Sequence, residues 1–295
     1  MSQLPLLQIE LQATAAALPR IEAALEATGA LAVSLADPGG EPVLEPAPGE
    51  TPLWTHVIVS ALFTADTDAD ALCARLAKAM ALPREAIQSA LLPPRDWIRE
   101  FRETLKPMRY GTRLWICPDE TPCPDPAGIA LRLEPGLAFG SGSHATTALC
   151  LDWLTTLPLN GRRVLDWGCG SGVLSIAALA LGARQVTALD IDQQALLATS
   201  ENARRNSLDG ALRVLHPEHM EAAGPYDVLV ANILANSLIS LAPTFREHCL
   251  AGAAVAMSGI LVSQAAQVRA ACARQFDLEI TAERDGWSLL AGTAI

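Results

Sequence analysis

From residue 163 onward the chain alternates short apolar runs with helix-length polar-and-apolar segments. The runs are "RVLDWG" (163–168), "QVTALDID" (185–192), "LRVLH" (212–216), "YDVLVANI" (226–233) and "AVAMSGIL" (254–261). Between them lie the helical patterns "GVLSIAALALG" (172–182), "QQALLATSENARRN" (193–206) and "ILANSLISL" (233–241). Strands separated by helices of this length pair in parallel, because a parallel crossover needs a dozen or more residues. The expected fold is therefore α/β, an open and mostly parallel sheet with helices on both faces. The tail "FDLEITAERDGWSLLAGTA" (276–294) has no room for a helix between its strands and is expected to close the sheet as an antiparallel hairpin.

At 295 residues the chain is long for a single core, and two domains are expected. The N-terminal part has its own rhythm: strand 6–12, helix 20–29 ended by Gly29, strand 30–37, the turn 38–40, strand 55–63, helix 66–80 and strand 85–92. The order β-α-β-β-α-β predicts a small ferredoxin-like domain over 1–92. Residues 93–128 read as a connector, with Pro93 and Pro94 as punctuation and Asp96 as the cap of a charged helix. That helix runs to about Lys106 and leads into the extended segment "RLWIC". The α/β domain then occupies 129–295.

Hydrophobic residues make up 51% of the chain, yet no apolar run reaches the length that spans a bilayer, and no signal peptide is visible at the start. Seven cysteines occur without a CxxC pair and read as free thiols of a reducing, cytoplasmic compartment. "HPEH" (216–219) lacks the order of a zinc motif and reads as a loop, so no metal is expected. The net charge of −11 disfavours direct binding to a nucleic-acid backbone; it would attract a basic protein partner or serve solubility alone, and charge does not choose between the two.

"LDWGCGSG" (165–172) follows a strand and opens a helix, where an open parallel sheet takes its ligand. Gly168, Gly170 and Gly172 let backbone approach a ligand closely. Asp190, 22 residues after Gly168, ends the next strand, where a carboxylate can accept from ribose hydroxyls. Dinucleotide enzymes favour GxGxxG, but the third glycine's place is taken by Val173. Asp166 lies at the strand end, where it can hold the loop or an ammonium group. The pattern D-x-G-x-G-x-G resembles class I S-adenosylmethionine methyltransferases. A nicotinamide oxidoreductase, a nucleic-acid or small-molecule methyltransferase and a non-catalytic binding module are the alternatives. Against a nucleic-acid enzyme, "NILA" offers no aromatic for stacking a flipped base.

Two further features border the same cleft. Asn232 ends the strand "YDVLVAN", where its carboxamide can aim an incoming amine or, alternatively, cap the next helix. The second glycine turn, "LAFGSGSHATTALC" (137–150), has Gly140 and Gly142 for a sharp turn and Thr146 and Thr147 at a helix start. His144 within it is either a general base or a residue that fixes the loop.

"FGSGSHATT", "LDWGCGSGVLSIAALALGA", "VANILA" and "DWIREFRETLKPMRYGTRLWICP" together resemble the bacterial methyltransferases that modify ribosomal protein eleven of the large subunit. The resemblance is dense over 95–295, while the N-terminal domain matches in size and element order. It implies S-adenosylmethionine as cofactor, contacted at Thr147, Gly168, Asp190 and Asn232. It also implies an N-terminal domain that grips the ribosomal protein, and repeated methylation of lysine side chains and the N-terminal amine. Ser141 and Ser143 stand where that family often has threonine.

Overall fold

A computed structural model of the chain describes residues 5–40, 53–93, 106–118, 121–133, 142–220 and 225–295. The chain divides into two compact units, Met1–Glu100 and Phe101–Ile295.

The first unit contains β1 (Leu6–Thr14), α1 (Leu18–Ala27), β2 (Ala32–Ala36), β3 (His56–Thr64), α2 (Ala69–Met80) and β4 (Ile87–Leu92). Its four strands lie in the order β2-β3-β1-β4, every neighbouring pair antiparallel, which is the ferredoxin-like arrangement. Along β3 every second side chain is buried (Val57, Val59, Ala61, Phe63), so one sheet face meets Ile21 and Leu25 of α1 and Leu76 and Met80 of α2. Helix α2 starts where the Asp68 carboxylate accepts from the amides of Asp70 and Ala71. Helix α1 begins two residues earlier than its sequence pattern indicates, because Pro19 fits the first turn, where a missing N–H leaves nothing unsatisfied.

The second unit opens with a three-stranded sheet of β5 (Met108–Tyr110), β6 (Leu114–Cys117) and β7 (Ile129–Arg132). "RLWIC" is therefore a paired strand, β6, flanked by two short strands that its sequence surroundings did not announce. The charged helix expected from Asp96 lies in residues 94–105, outside the described residues.

The main body follows as α3 (Ala145–Thr156), β8 (Arg163–Trp167), α4 (Val173–Ala180), β9 (Gln185–Leu189), α5 (Gln193–Arg205), β10 (Leu212–Leu215), β11 (Tyr226–Asn232), α6 (Ala235–His248), β12 (Cys249–Leu261), α7 (Val262–Cys272), β13 (Phe276–Arg284) and β14 (Trp287–Ala294). Its seven strands run in the order β10-β9-β8-β11-β12-β14-β13. The first five pair in parallel and the last two form the antiparallel hairpin. Strand β12 begins five residues before the expected 254, at Cys249, through the weak strand formers "LAGA". Helix α4 is almost wholly apolar and buries Val173 to Leu179 without interruption, so it is a core helix rather than a surface one. Chain order reverses between β8 and β11, and the crevice at their C-terminal ends is where an open sheet of this type binds ligands. No helix among the described residues is long and apolar enough to cross a membrane.

Candidate functional site

The turn after β8 is built from glycine because its backbone goes left-handed three times, at Gly168 (φ 81°), Gly170 (φ 54°) and Gly172 (φ 80°). A Cβ on Gly168 would stand 2.3 Å from Ile233 Cγ2, and one on Gly172 would stand 2.8 Å from the Thr199 side chain. The turn is pinned from both sides. The amides of Gly168 and Cys169 donate to the Leu189 carbonyl at 2.8 and 2.9 Å. Thr199 Oγ1 donates to the Gly170 carbonyl at 3.0 Å, and Asn202 Nδ2 to the Ser171 carbonyl at 3.0 Å. Thr199 and Asn202 both belong to α5, so this helix clamps the turn from beneath.

Asp190 follows directly on β9. One of its oxygens accepts from the Gly170 amide at 2.9 Å and the other from the Asp192 amide at 3.0 Å. The carboxylate thus ties the β9 end to the glycine turn, and Asp190 is only partly buried. Asp166 sits differently. It is completely buried, its Oδ2 accepts from Ser175 Oγ at 2.6 Å, and its Oδ1 has no hydrogen-bond partner among the described residues. Burial pushes its carboxyl up to about 7, opposed by the Ser175 hydroxyl and amide and reinforced by nearby Asp190. Burial likewise raises the Cys169 thiol far above its ordinary range, so it remains a neutral wall of the turn rather than a nucleophile.

On the other side of the cleft, Thr147 in the first turn of α3 is buried (1% exposed) and receives a 3.4 Å hydrogen bond from Asn232 Nδ2. Asn232 does not cap the next helix: α6 starts after Leu234, which makes no side-chain cap. Its carboxamide is turned toward the cleft instead. His144 is the N-cap of α3, its Nδ1 lying 2.8 Å from Thr146 Oγ1 and 3.4 Å from the Thr146 amide. Accepting from that amide at Nδ1 puts the ring proton on Nε2, the tautomer assigned from the hydrogen-bond network. The imidazole nitrogen that a general base would use is thereby spent on the helix start, and the geometry favours the loop-fixing role. Gly142 (φ 90°) is held by Tyr110 of β5, whose hydroxyl donates to its carbonyl at 2.9 Å. Gly140 and Ser141 lie outside the described residues.

Two cavities flank these groups. One, of 490 Å³, lies beside the end of β10 and the start of α5 and is lined by Gln193, Leu196, Leu215, His216 and Glu218 among others. The other, of 240 Å³, is lined by Asn232, His144, Ile233, Leu234, Gly259 and Trp287 with Thr146. "HPEH" forms a single 3-10 turn capped by His216, and among the described residues no group of three or more metal-binding side chains occurs.

Gly168, Gly170, Gly172, Asp166 and Asp190 are thus joined in one hydrogen-bonded or contiguous cluster, and Thr147 and Asn232 in another across the crevice. Sequence reading missed Ser175, Thr199 and Asn202. Each is a polar residue inside a helix whose neighbours are buried, and such a group must find a partner. It also missed Trp287, Gly259 and Ile233, which nothing in the local pattern marks.

The model of one protein family, described as ribosomal protein L11 methyltransferase (PrmA), matches residues 5–294. A protein named ribosomal protein L11 methyltransferase from Azotobacter vinelandii is 46% identical over 291 residues, covering 98% of this chain and 99% of its own. One of the same name from Pseudomonas aeruginosa is 46% identical over 294 residues, with 98% of each chain covered. Among solved structures, a ribosomal protein L11 methylase from Lactobacillus delbrueckii subsp. bulgaricus superposes with a TM-score of 0.57 at 31% identity. It covers 64% of this chain and 99% of that one.

Proposed function

We propose, because the chain belongs to the ribosomal protein L11 methyltransferase (PrmA) family, that it transfers methyl groups from S-adenosylmethionine to amino groups of that ribosomal protein, both lysine side chains and the N-terminal α-amine. The single observation that carries the reading in this molecule is the meeting, at one sheet edge, of a triply left-handed glycine turn tied to Asp190 and an Asn232 held against Thr147.

The residues present fit the cofactor. Asp166 offers an orphaned, buried carboxylate oxygen suited to an ammonium group, and the Asp190 oxygens suit ribose hydroxyls. The cavity beside the end of β10 and the start of α5 has the size and mixed lining of a site for a flat heterocycle. Thr147, Asp166, Gly168, Gly170, Gly172, Asp190 and Asn232 are the residues assigned to hold it. When bound, the sulfonium supplies a methyl group already activated for in-line displacement. The chain's own task is alignment, exclusion of water and selection of the neutral amine. With Asn232 Nδ2 donating to Thr147, the carboxamide oxygen is the acceptor for an amine N–H and aims the nitrogen lone pair. A lysine amine, ordinarily near 10.4, is drawn toward its neutral form by desolvation. His144 acts by holding the start of α3 rather than by taking the proton.

A net charge of −11 supports a basic protein substrate. We assign substrate recognition to the ferredoxin-like unit and the site of action to the cytoplasm. Intact-mass spectrometry of the purified ribosomal protein after incubation with this enzyme and S-adenosylmethionine tests the reading. A ladder of +14 Da steps is expected, and its absence removes the substrate while leaving fold and family standing.

A further inference from the structure

The 240 Å³ cavity on the Asn232 side has a lining that the cofactor does not require. Among its described lining residues there is no Asp, Glu, Lys or Arg; Ile233 and Leu234 give aliphatic surface, and Trp287 gives an indole. Its volume is below the ~300 Å³ at which sites for small molecules usually begin, and fits one side chain rather than a free metabolite. Leu234 is 52% exposed, an unusual state for a leucine beside a buried polar cleft. This slot and the cofactor crevice share Asn232, so whatever fills the slot presents its tip to the carboxamide.

The indole is put there by an irregularity of the sheet. Strand β12 pairs Met257 with Leu290 but Ile260 with Ser288, so β12 carries one more residue than β14 across this step. Such bulges re-aim side chains next to functional sites. Gly259 lies in the bulge at φ 84°, and a Cβ there would stand 2.3 Å from the Ile233 carbonyl oxygen. The bulge therefore packs directly on the turn that follows Asn232, and Trp287 stands on the strand opposite. The His144 ring meets the indole edge-on, with centroids 5.2 Å apart at 67°, and His144 is itself fixed as the cap of α3. Trp287 is held from two sides.

Resting on the methyltransferase reading, we propose that Trp287 is the positioning residue that decides how many methyl groups one amine receives. The lysine stem lies along Leu234 and Ile233, and the indole packs on the nitrogen substituents. Before each transfer the ammonium gives one proton to solvent; the amine lone pair then forms the new N–C bond, and the C–S bond breaks with its electron pair going to sulfur. Every round replaces an N–H by an N–CH3. An apolar, aromatic wall such as Leu234, Ile233 and Trp287 form gains contact with each methyl added, both by area and, for the charged form, by cation–π attraction. The slot therefore holds a partly methylated amine at least as well as an unmethylated one, which favours another transfer.

The test follows methyl number as well as rate. Wild type, Trp287→Phe and Trp287→Ala are incubated with the basic ribosomal protein and excess S-adenosylmethionine, and products are compared by intact mass at equal total methyl transfer. Trp287→Ala is expected to accumulate the first +14 Da product, with kcat/KM on premethylated protein falling on the order of fivefold more than on unmethylated protein. Trp287→Phe, which keeps an aromatic face, is expected to restore most of the wild-type distribution. Calorimetric Kd for S-adenosylmethionine and the melting temperature confirm that each variant is folded. An unchanged product distribution in a folded, active Trp287→Ala protein overturns the proposal and leaves the activity intact. A wild-type enzyme that adds no methyl to this substrate overturns the substrate reading and the proposal with it.

Discussion

Replacing Asp166 by Asn should remove a stability term that falls as pH rises, because the wild-type carboxyl is buried, has one oxygen without a partner among the described residues and is pushed up to about 7. In the unfolded chain the same group titrates near 3.9. Between those values the native state holds a proton that the unfolded state has lost, so stability falls as pH rises and levels off above about 7. A gap of roughly three pH units at ~1.4 kcal/mol each puts the whole term on the order of 4 kcal/mol. About half of it, ~2 kcal/mol, falls in the accessible range between pH 5.5 and 7. The amide cannot ionise. It keeps an oxygen for Ser175 but leaves an NH2 group where Oδ1 had no partner, costing about 1–3 kcal/mol at every pH. Asp166→Asn is thus expected to melt below wild type at pH 5.5 and to close or reverse the gap by pH 8. For a unit of this size the relative movement is about 4–8 °C. Thermal melts by circular dichroism at constant ionic strength read it directly. The cofactor adds a second limb: a cationic ligand beside Asp166 favours the ionised form, so wild type should release a proton on binding near pH 7 and the variant should not. A melting difference that stays constant from pH 5.5 to 8.5, with no proton release in wild type, would refute the ionisation assigned to this carboxyl.

Other perturbations separate binding from turnover. Asn232→Ala should lower kcat by about 100-fold while the Kd for S-adenosylmethionine changes less than about threefold, since the carboxamide acts by aiming the amine; the opposite split would make Asn232 a binding residue only. His144→Ala should lose about 1 kcal/mol through the missing cap, a fall of roughly 2–4 °C in Tm. His144→Gln should show a pH–rate profile of unchanged shape, and a limb of the wild-type profile that vanishes in that variant would restore the general-base role.

The alternation of apolar runs with helical segments carried the parallel sheet, and the helix-free tail carried its closing hairpin, because both follow from connection length. Periodicity likewise delivered the βαββαβ unit. The small sheet of β5, β6 and β7 stayed hidden: its strands are three or four residues long, too short to show a period. At the site, Gly168, Gly170, Gly172 and Asp190 were legible because left-handed backbone and a strand-end carboxylate leave a local signature. Asn232 was visible but ambiguous, and the start of α6 after Leu234 together with its hydrogen bond to Thr147, 85 residues away, separates cap from cleft. Trp287 was illegible in principle, since its direction depends on a bulge in the neighbouring strand.

Ile233 touches both halves of the site at once. Its Cγ2 would lie 2.3 Å from a Cβ on Gly168, and its carbonyl oxygen 2.3 Å from one on Gly259. A single residue, gripped between two positions that tolerate no side chain, acts as a spacer of fixed thickness between the glycine turn after β8 and the cavity lined by Trp287. On the proposed reading displacement chemistry depends on that gap, whose width one aliphatic side chain and two missing ones fix. Changes at 168, 233 and 259 should therefore be strongly non-additive.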